Sequence, residues 1–293
     1  MTSNKNGLVP QEHWDSLYQN SNLVQIYDND PVSLWLQQFV PPGQGKSCFE
    51  IGCYPGRILS FFGKKGYTLS GVDLTPNVEQ LPGWFQSLGY DIGKFQRSDF
   101  FALDTKEQYD IVGSFGFIEH FNDWHEVILK QASLVKENGL VVIEVPNFAG
   151  AIQRLLHLFL DYKNYMGHTT SAMYPIVWSE ILSLIGFEII YCGYFGKFGF
   201  WVQEPSASTT KLVLTYNILR SMEKLKKADT PDHMMAPYCG VIARKTTNQS
   251  ISDILCNSQI KMLIDQKVAK IKHQDLQEDQ TIRSIVNFFE ILT

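Results

Sequence analysis

The sequence predicts an α/β fold, a doubly wound and mostly parallel seven-stranded sheet with helical lid insertions and a helical C-terminal extension. Three observations predict it. Short apolar runs alternate with segments of helical spacing from residue 47 to residue 146. The first run ends in a glycine-rich turn, FEIGCYPGR at 49–57. The second ends in an aspartate, Asp73, 21 residues after Gly52.

The strands and helices follow in order. Ser47 to Gly52 is a buried strand, and Arg57 to Lys65 has helical spacing stopped by Gly66. Tyr67 to Val72 is a second strand, and Pro76 opens a helical region to Leu88 that Pro82-Gly83 interrupts. Ile92 to Arg97 and Tyr109 to Ser114 are strands three and four. Asp123 to Lys136 reads as an amphipathic helix closed by Asn138-Gly139, and Leu140 to Val145 is strand five, ended by Pro146. Beyond it, Phe148 to Tyr165 and Trp178 to Ile185 are helical, and Phe187 to Tyr191 is strand six. A further helix reaches Lys227, Tyr238 to Lys245 closes the sheet, and the tail from Asn248 is helical in pattern. The expected division is an N-terminal helical lid at 1–40, a cofactor-binding core at 41–147 and a helical substrate lid at 148–185. The end of the core sheet with an inserted helix follows at 186–245, and the helical extension at 246–293.

Composition narrows the class. The chain has 293 residues, 44% hydrophobic and 19% charged, which suits a soluble protein with an ample core. A net charge of −5 without an arginine-rich tract argues against a nucleic-acid partner. The five cysteines are dispersed with no C-x-x-C pair, which reads as reduced thiols and neither a disulfide framework nor a zinc site. The N-terminus has no apolar leader, and the apolar stretch AIQRLLHLFL is too short to span a bilayer. The expectation is a cytoplasmic protein without a membrane partner, and a homodimer is left open.

The glycine-rich turn carries Tyr54-Pro55 where small residues are usual. A tyrosine there would obstruct the close approach of a pyrophosphate, which weighs against a nicotinamide dinucleotide. S-adenosylmethionine has an adenosine but no phosphate and is compatible with the substitution. Asp73 stands where a carboxylate can accept from both ribose hydroxyls. Asp99 and Phe100 end the third strand where an adenine could be held, unless Asp99 only caps the segment after it.

Together, EIGCYPGR (50–57), GVDLTP (71–76), SDF (98–100), FGFIEHFND (115–123) and GLVVIEVPN (139–147) resemble the class I S-adenosylmethionine-dependent methyltransferases. The likeness is to the small-molecule group related to ubiquinone-biosynthesis enzymes, and it spans roughly residues 10 to 245. It implies a Rossmann-like fold with S-adenosyl-L-methionine as donor and S-adenosyl-L-homocysteine as product. It implies that Glu50, Gly52, Cys53 and Gly56 hold the methionine part, and that Asp73 and Leu74 hold ribose and adenosine. Asp99 and Phe100 would bind adenine, and Phe115 would lie by the methyl sulfonium.

The sulfonium is already an activated electrophile, so the protein must mainly align a nucleophile. A hydroxyl acceptor also needs a base, and the candidates are His168 and His120, with His125, one helical turn beyond His120, reading instead as a solvent- or core-facing residue. Tyr165, Tyr174, Trp14 and Tyr18 are candidate substrate contacts, although aromatic packing would explain them equally. No acidic cluster follows strand five, so no metal is expected. No N-P-P-Y stands at strand four, which disfavours nucleic-acid bases as acceptors. The Phe, Tyr, Trp, Leu and Met of 148–235 suggest a roomy apolar lid over a sizeable natural product, such as a polyketide, peptide or quinone-like compound. The expected activity is O-methylation of a small-molecule substrate with a histidine base. N- or C-methylation by the same fold and a non-catalytic cofactor-binding protein stay open as alternatives.

Overall fold

The computed structural model describes residues 7–19, 21–197, 199–200, 202 and 233–292. The helix expected to reach Lys227 lies outside the described residues. Seven strands form one sheet in the order β3-β2-β1-β4-β5-β7-β6. They are β1 (Ser47–Ile51), β2 (Thr68–Asp73), β3 (Ile92–Arg97), β4 (Tyr109–Phe115), β5 (Val135–Pro146), β6 (Phe187–Phe195) and β7 (Tyr238–Lys245). The pairs from β3 through β5 are parallel, and β7 runs antiparallel to both β5 and β6. The chain order reverses between β1 and β4, and a doubly wound sheet opens a crevice at such a point.

Both faces are covered, because the strands put alternate apolar residues on each. Ile51, Val112, Ile143 and Val241 pack beneath α5 (Trp124–Ser133), α8 (Pro175–Leu184) and the long C-terminal helix. Cys48, Leu69, Ile111 and Val142 pack beneath α2 (Pro31–Phe39), α3 (Leu59–Lys64) and α4 (Leu81–Ser87). The remaining helices are α1 (Gln11–Tyr18), α6 (Ala151–Leu160), α7 (Tyr162–Met166), α9 (Ile251–Leu255) and α10 (Ser258–Leu292). Among the described residues no helix is long and apolar enough to cross a membrane.

Two expected elements differ. Helix α5 stops at Ser133 instead of continuing to Lys136, because Leu134 and Val135 already pair with Tyr109 at the start of β4. Asn138 then takes φ +64°, the left-handed turn that its neighbour Gly139 had suggested. The helix expected from Phe148 to Tyr165 is two, broken at Asp161, whose φ of −145° is not helical. Asp161 accepts instead from the Asn164 side chain at 2.8 Å, a local bond that competes with helix continuation.

Candidate functional site

The turn after β1 is braced against β2. The Gly52 and Cys53 amides both donate to the Val72 carbonyl, at 2.9 and 3.2 Å. Gly52 sits at φ +69°, and a Cβ there would lie 2.5 Å from the ring of Phe117. Glycine is therefore required twice over, by conformation and by space. The Tyr54–Pro55 peptide is cis, and the Tyr54 amide donates to Asp73 Oδ2 at 3.0 Å. Asp73 Oδ1 accepts from the Thr75 amide at 2.9 Å, so backbone donors hold the carboxylate at the strand end. Burial raises its pKa to about 6, against the pull of those amides.

Around this turn lies a cavity of about 270 Å³. All nine residues expected to hold the cofactor line it: Glu50, Gly52, Cys53, Gly56, Asp73, Leu74, Asp99, Phe100 and Phe115. Asp99 also caps the short turn after it, Oδ1 accepting from the Phe101 amide at 2.9 Å. Trp14 and Tyr18 of α1 line the cavity too, the Trp14 ring 4.8 Å from that of His120 and the Tyr18 ring 5.0 Å from that of Tyr54.

The two histidines differ in position. His120 lines the cavity and His168 does not; their rings are 4.6 Å apart, with His168 behind. His120 Nδ1 lies 2.9 Å from the Gly167 carbonyl, which can only accept, so Nδ1 carries the hydrogen. In the neutral ring, Nε2 then carries the lone pair, 3.6 Å from Glu119 Oε1. Burial pushes the pKa of His120 down to about 4, so the ring is neutral near pH 7. His168 is bound similarly, Nδ1 to the Asn164 carbonyl at 2.6 Å, and burial, with His120 beside it, holds its pKa well below the usual value.

Tyr165 and Tyr174 are corrected. Neither lines the cavity; both are buried and their hydroxyls donate to α10, Tyr165 to Asp279 at 2.5 Å and Tyr174 to Glu278 at 2.9 Å. The apolar residues of 148–185 are corrected likewise: Phe148, Met173 and Trp178 belong to the core and do not line the cavity. Gly7, Val9, Gln11, Trp14, Phe117 and Phe121 line the cavity instead. Gly7 bridges to Phe121 and the Leu8 amide donates to the His120 carbonyl at 2.8 Å, so the N-terminal segment is stitched to the turn after β4. No periodic pattern marks Gly7 or Val9, and only contact with a distant turn gives them a place.

Two buried carboxyls shape the electrostatics. Glu50 Oε2 and both oxygens of Glu119 have no hydrogen-bond partner among the described residues. Burial raises both pKa values well above the ordinary range, and for Glu50 the nearby Asp73 adds to it. An orphaned carboxyl oxygen and a glycine-lined turn with a backbone-held aspartate fit a ligand with an amino group and a ribose. Glu119, His120 and His168 each offer a ligand atom within 4.8 Å of the others, a spacing a divalent cation could bridge.

A sequence profile described as a methyltransferase domain matches residues 25–191, more than half of the chain. The ubiquinone biosynthesis O-methyltransferase of Rickettsia conorii is 28% identical over 99 residues, 33% of this chain and 34% of that protein. The protein of that description from Thiobacillus denitrificans is 27% identical over 137 residues, 46% of this chain and 57% of its own. The chain thus spans between a third and three-fifths of the length of these two curated relatives. A provisionally assigned methyltransferase of Bacillus halodurans shares the fold, with a TM-score of 0.51 at 16% identity over 74% of this chain and 99% of its own.

Proposed function

The chain belongs to the methyltransferase-domain family and takes S-adenosylmethionine as its donor, and from that premise we propose that it methylates a hydroxyl of a small apolar compound with His120 as general base. The observation that carries the reading is the state of His120. It stands in the cavity wall with Nδ1–H committed to the Gly167 carbonyl and Nε2 left as the acceptor.

The bound donor supplies an electrophilic methyl group. Asp73 would hold the ribose hydroxyls, and Asp99 and Phe100 the adenine. Glu50 and the Gly52–Gly56 turn would hold the amino-acid end. Phe115 would then lie close to the reacting centre, next to the turn that carries His120. Val9, Trp14, Phe117 and Phe121 give the open side of the cavity an apolar lining, which suits a hydrophobic acceptor and keeps water from it. His120 Nε2 takes the hydroxyl proton as the oxygen attacks in line. The O-methyltransferase relatives favour oxygen as the acceptor atom. Five free thiols suit the cytoplasm, where we place the enzyme.

His120→Gln tests the reading. The variant is expected to lose about a hundredfold in kcat while S-adenosylhomocysteine affinity stays within about twofold. Wild-type kcat is expected to hold level down to pH 5 and to fall as pH drops through about 4, where His120 gains its proton. Full turnover by the variant would transfer the reading to N- or C-methylation, which needs no such base.

A further inference from the structure

The C-terminal helix α10 is wired to the cavity through six residues. Tyr165 and Thr170 face the helix: the Tyr165 hydroxyl donates to Asp279 Oδ1 at 2.5 Å and the Thr170 hydroxyl to Asp275 Oδ2 at 2.7 Å. Between them, two backbone groups face the turn that carries the candidate base. The Gly167 carbonyl accepts from His120 Nδ1 at 2.9 Å, and the Thr169 amide donates to the Glu119 carbonyl at 2.6 Å.

The helix end of this connection is anchored firmly. Arg154 of α6 has a fully buried side chain. Its guanidinium donates to Asp275 Oδ1, and to the Asp275 backbone carbonyl at 3.1 Å. Tyr174 adds a bond to the same Oδ1 at 3.3 Å. Asp275 and Asp279, four residues apart, lie on one helix face. Arg283 holds the second oxygen of Asp279 at 2.6 Å. A segment held to the helix at both ends and to the turn in between couples a shift on one side to the other.

We propose that α10 is a working part of the active site, with Asp275 and Thr170 acting as positioning residues that fix the Gly167 carbonyl and so keep His120 in its Nδ1-protonated tautomer. The proposal rests on the reading of His120 as base. A shift of the 165–170 segment would release Nδ1–H and allow the proton to move to Nε2, taking from Nε2 the lone pair that a base needs.

Nitrogen-15 spectra of the histidine side chains in the full-length protein test this directly, with the His120 signals assigned from His120→Gln. Wild type is expected to show His120 in one tautomer, protonated on Nδ1. Asp275→Asn and Thr170→Val are each expected to give a mixture of tautomers and a kcat about ten- to a hundredfold lower, with S-adenosylhomocysteine affinity within about twofold. Thr170→Ser, which keeps the hydroxyl, is expected to restore the wild-type spectrum. Thr170→Val leaves the Arg154–Asp275 pair whole, so it carries the test if Asp275→Asn does not fold. A single Nδ1-protonated tautomer in folded Thr170→Val overturns the proposal. A mixture of tautomers with undiminished kcat upholds it and overturns the assignment of His120 as base.

Discussion

Two sets of buried carboxyls treat their charge in opposite ways. Between α6 and α10, each carboxylate oxygen of Asp275 and Asp279 has a donor: Arg154 and Tyr174, Thr170, Tyr165, and Arg283. By contrast, Glu50 Oε2 in the cavity wall and both oxygens of Glu119, the chain neighbour of the cavity-lining His120, have none among the described residues. A buried carboxyl without a partner is costly, so such groups collect where something from outside completes them. The first set is a cluster whose carboxylate oxygens are all satisfied within the chain, and it ties α6 to α10. In the second, Glu50 lines the cavity, where a ligand could complete it.

The largest expected effect comes from breaking the complete cluster. Arg154→Met should cost about 3–5 kcal/mol of stability, because it leaves buried carboxylates without their cation. The double variant Arg154→Met with Asp275→Leu should recover much of that loss, since both charges go together. Urea denaturation of the two proteins measures it. Equal costs would show that the cluster is not a mutually satisfied unit.

Next comes the cavity side. Asp73→Asn should weaken S-adenosylhomocysteine binding about a hundredfold, the scale of losing charge-assisted hydrogen bonds to two hydroxyls. Isothermal titration calorimetry reads it, and unchanged affinity would remove the ribose from this side of the comparison.

The smallest effect sharpens the contrast through pH. Glu144, on β5, is buried, and its pKa is raised to about 8 by desolvation, with the charge of Arg57 opposing. The folded chain therefore keeps a proton that the unfolded chain has lost above about pH 4.5. Its contribution is fully present below that pH and is lost as pH rises through 8. Glu144→Gln should gain about 1 kcal/mol or more relative to wild type on going from pH 5 to pH 8. Urea midpoints at both values check this, and a gain that does not change with pH would mean that Glu144 is already ionised.

How much of this was legible in the sequence varied with the range of the interactions involved. The strand alternation, the need for Gly52 and the place of Asp73 at the end of β2 follow from side-chain periodicity and backbone sterics, which act over a few residues. All nine expected cofactor residues line one cavity because strand ends converge at the reversal of sheet order, which the alternation already implied. The aromatic richness of 148–185 did not say whether those side chains face a substrate or a core, since both surroundings favour apolar residues.

That choice belonged to the tertiary structure. Tyr165 and Tyr174 left the candidate site because Asp279 and Glu278, more than 100 residues further along, reach their hydroxyls first. His120 was separated from His168 by a carbonyl 47 residues away and by the N-terminal segment packed beside it. The sequence by itself determined the sheet, the turn and the nine residues that come to line one cavity, because local geometry and strand order dictate them. Which histidine lines the cavity, and which of its nitrogens carries the hydrogen, was decided only when distant segments docked, since tautomer and burial depend on neighbours that no local pattern encodes.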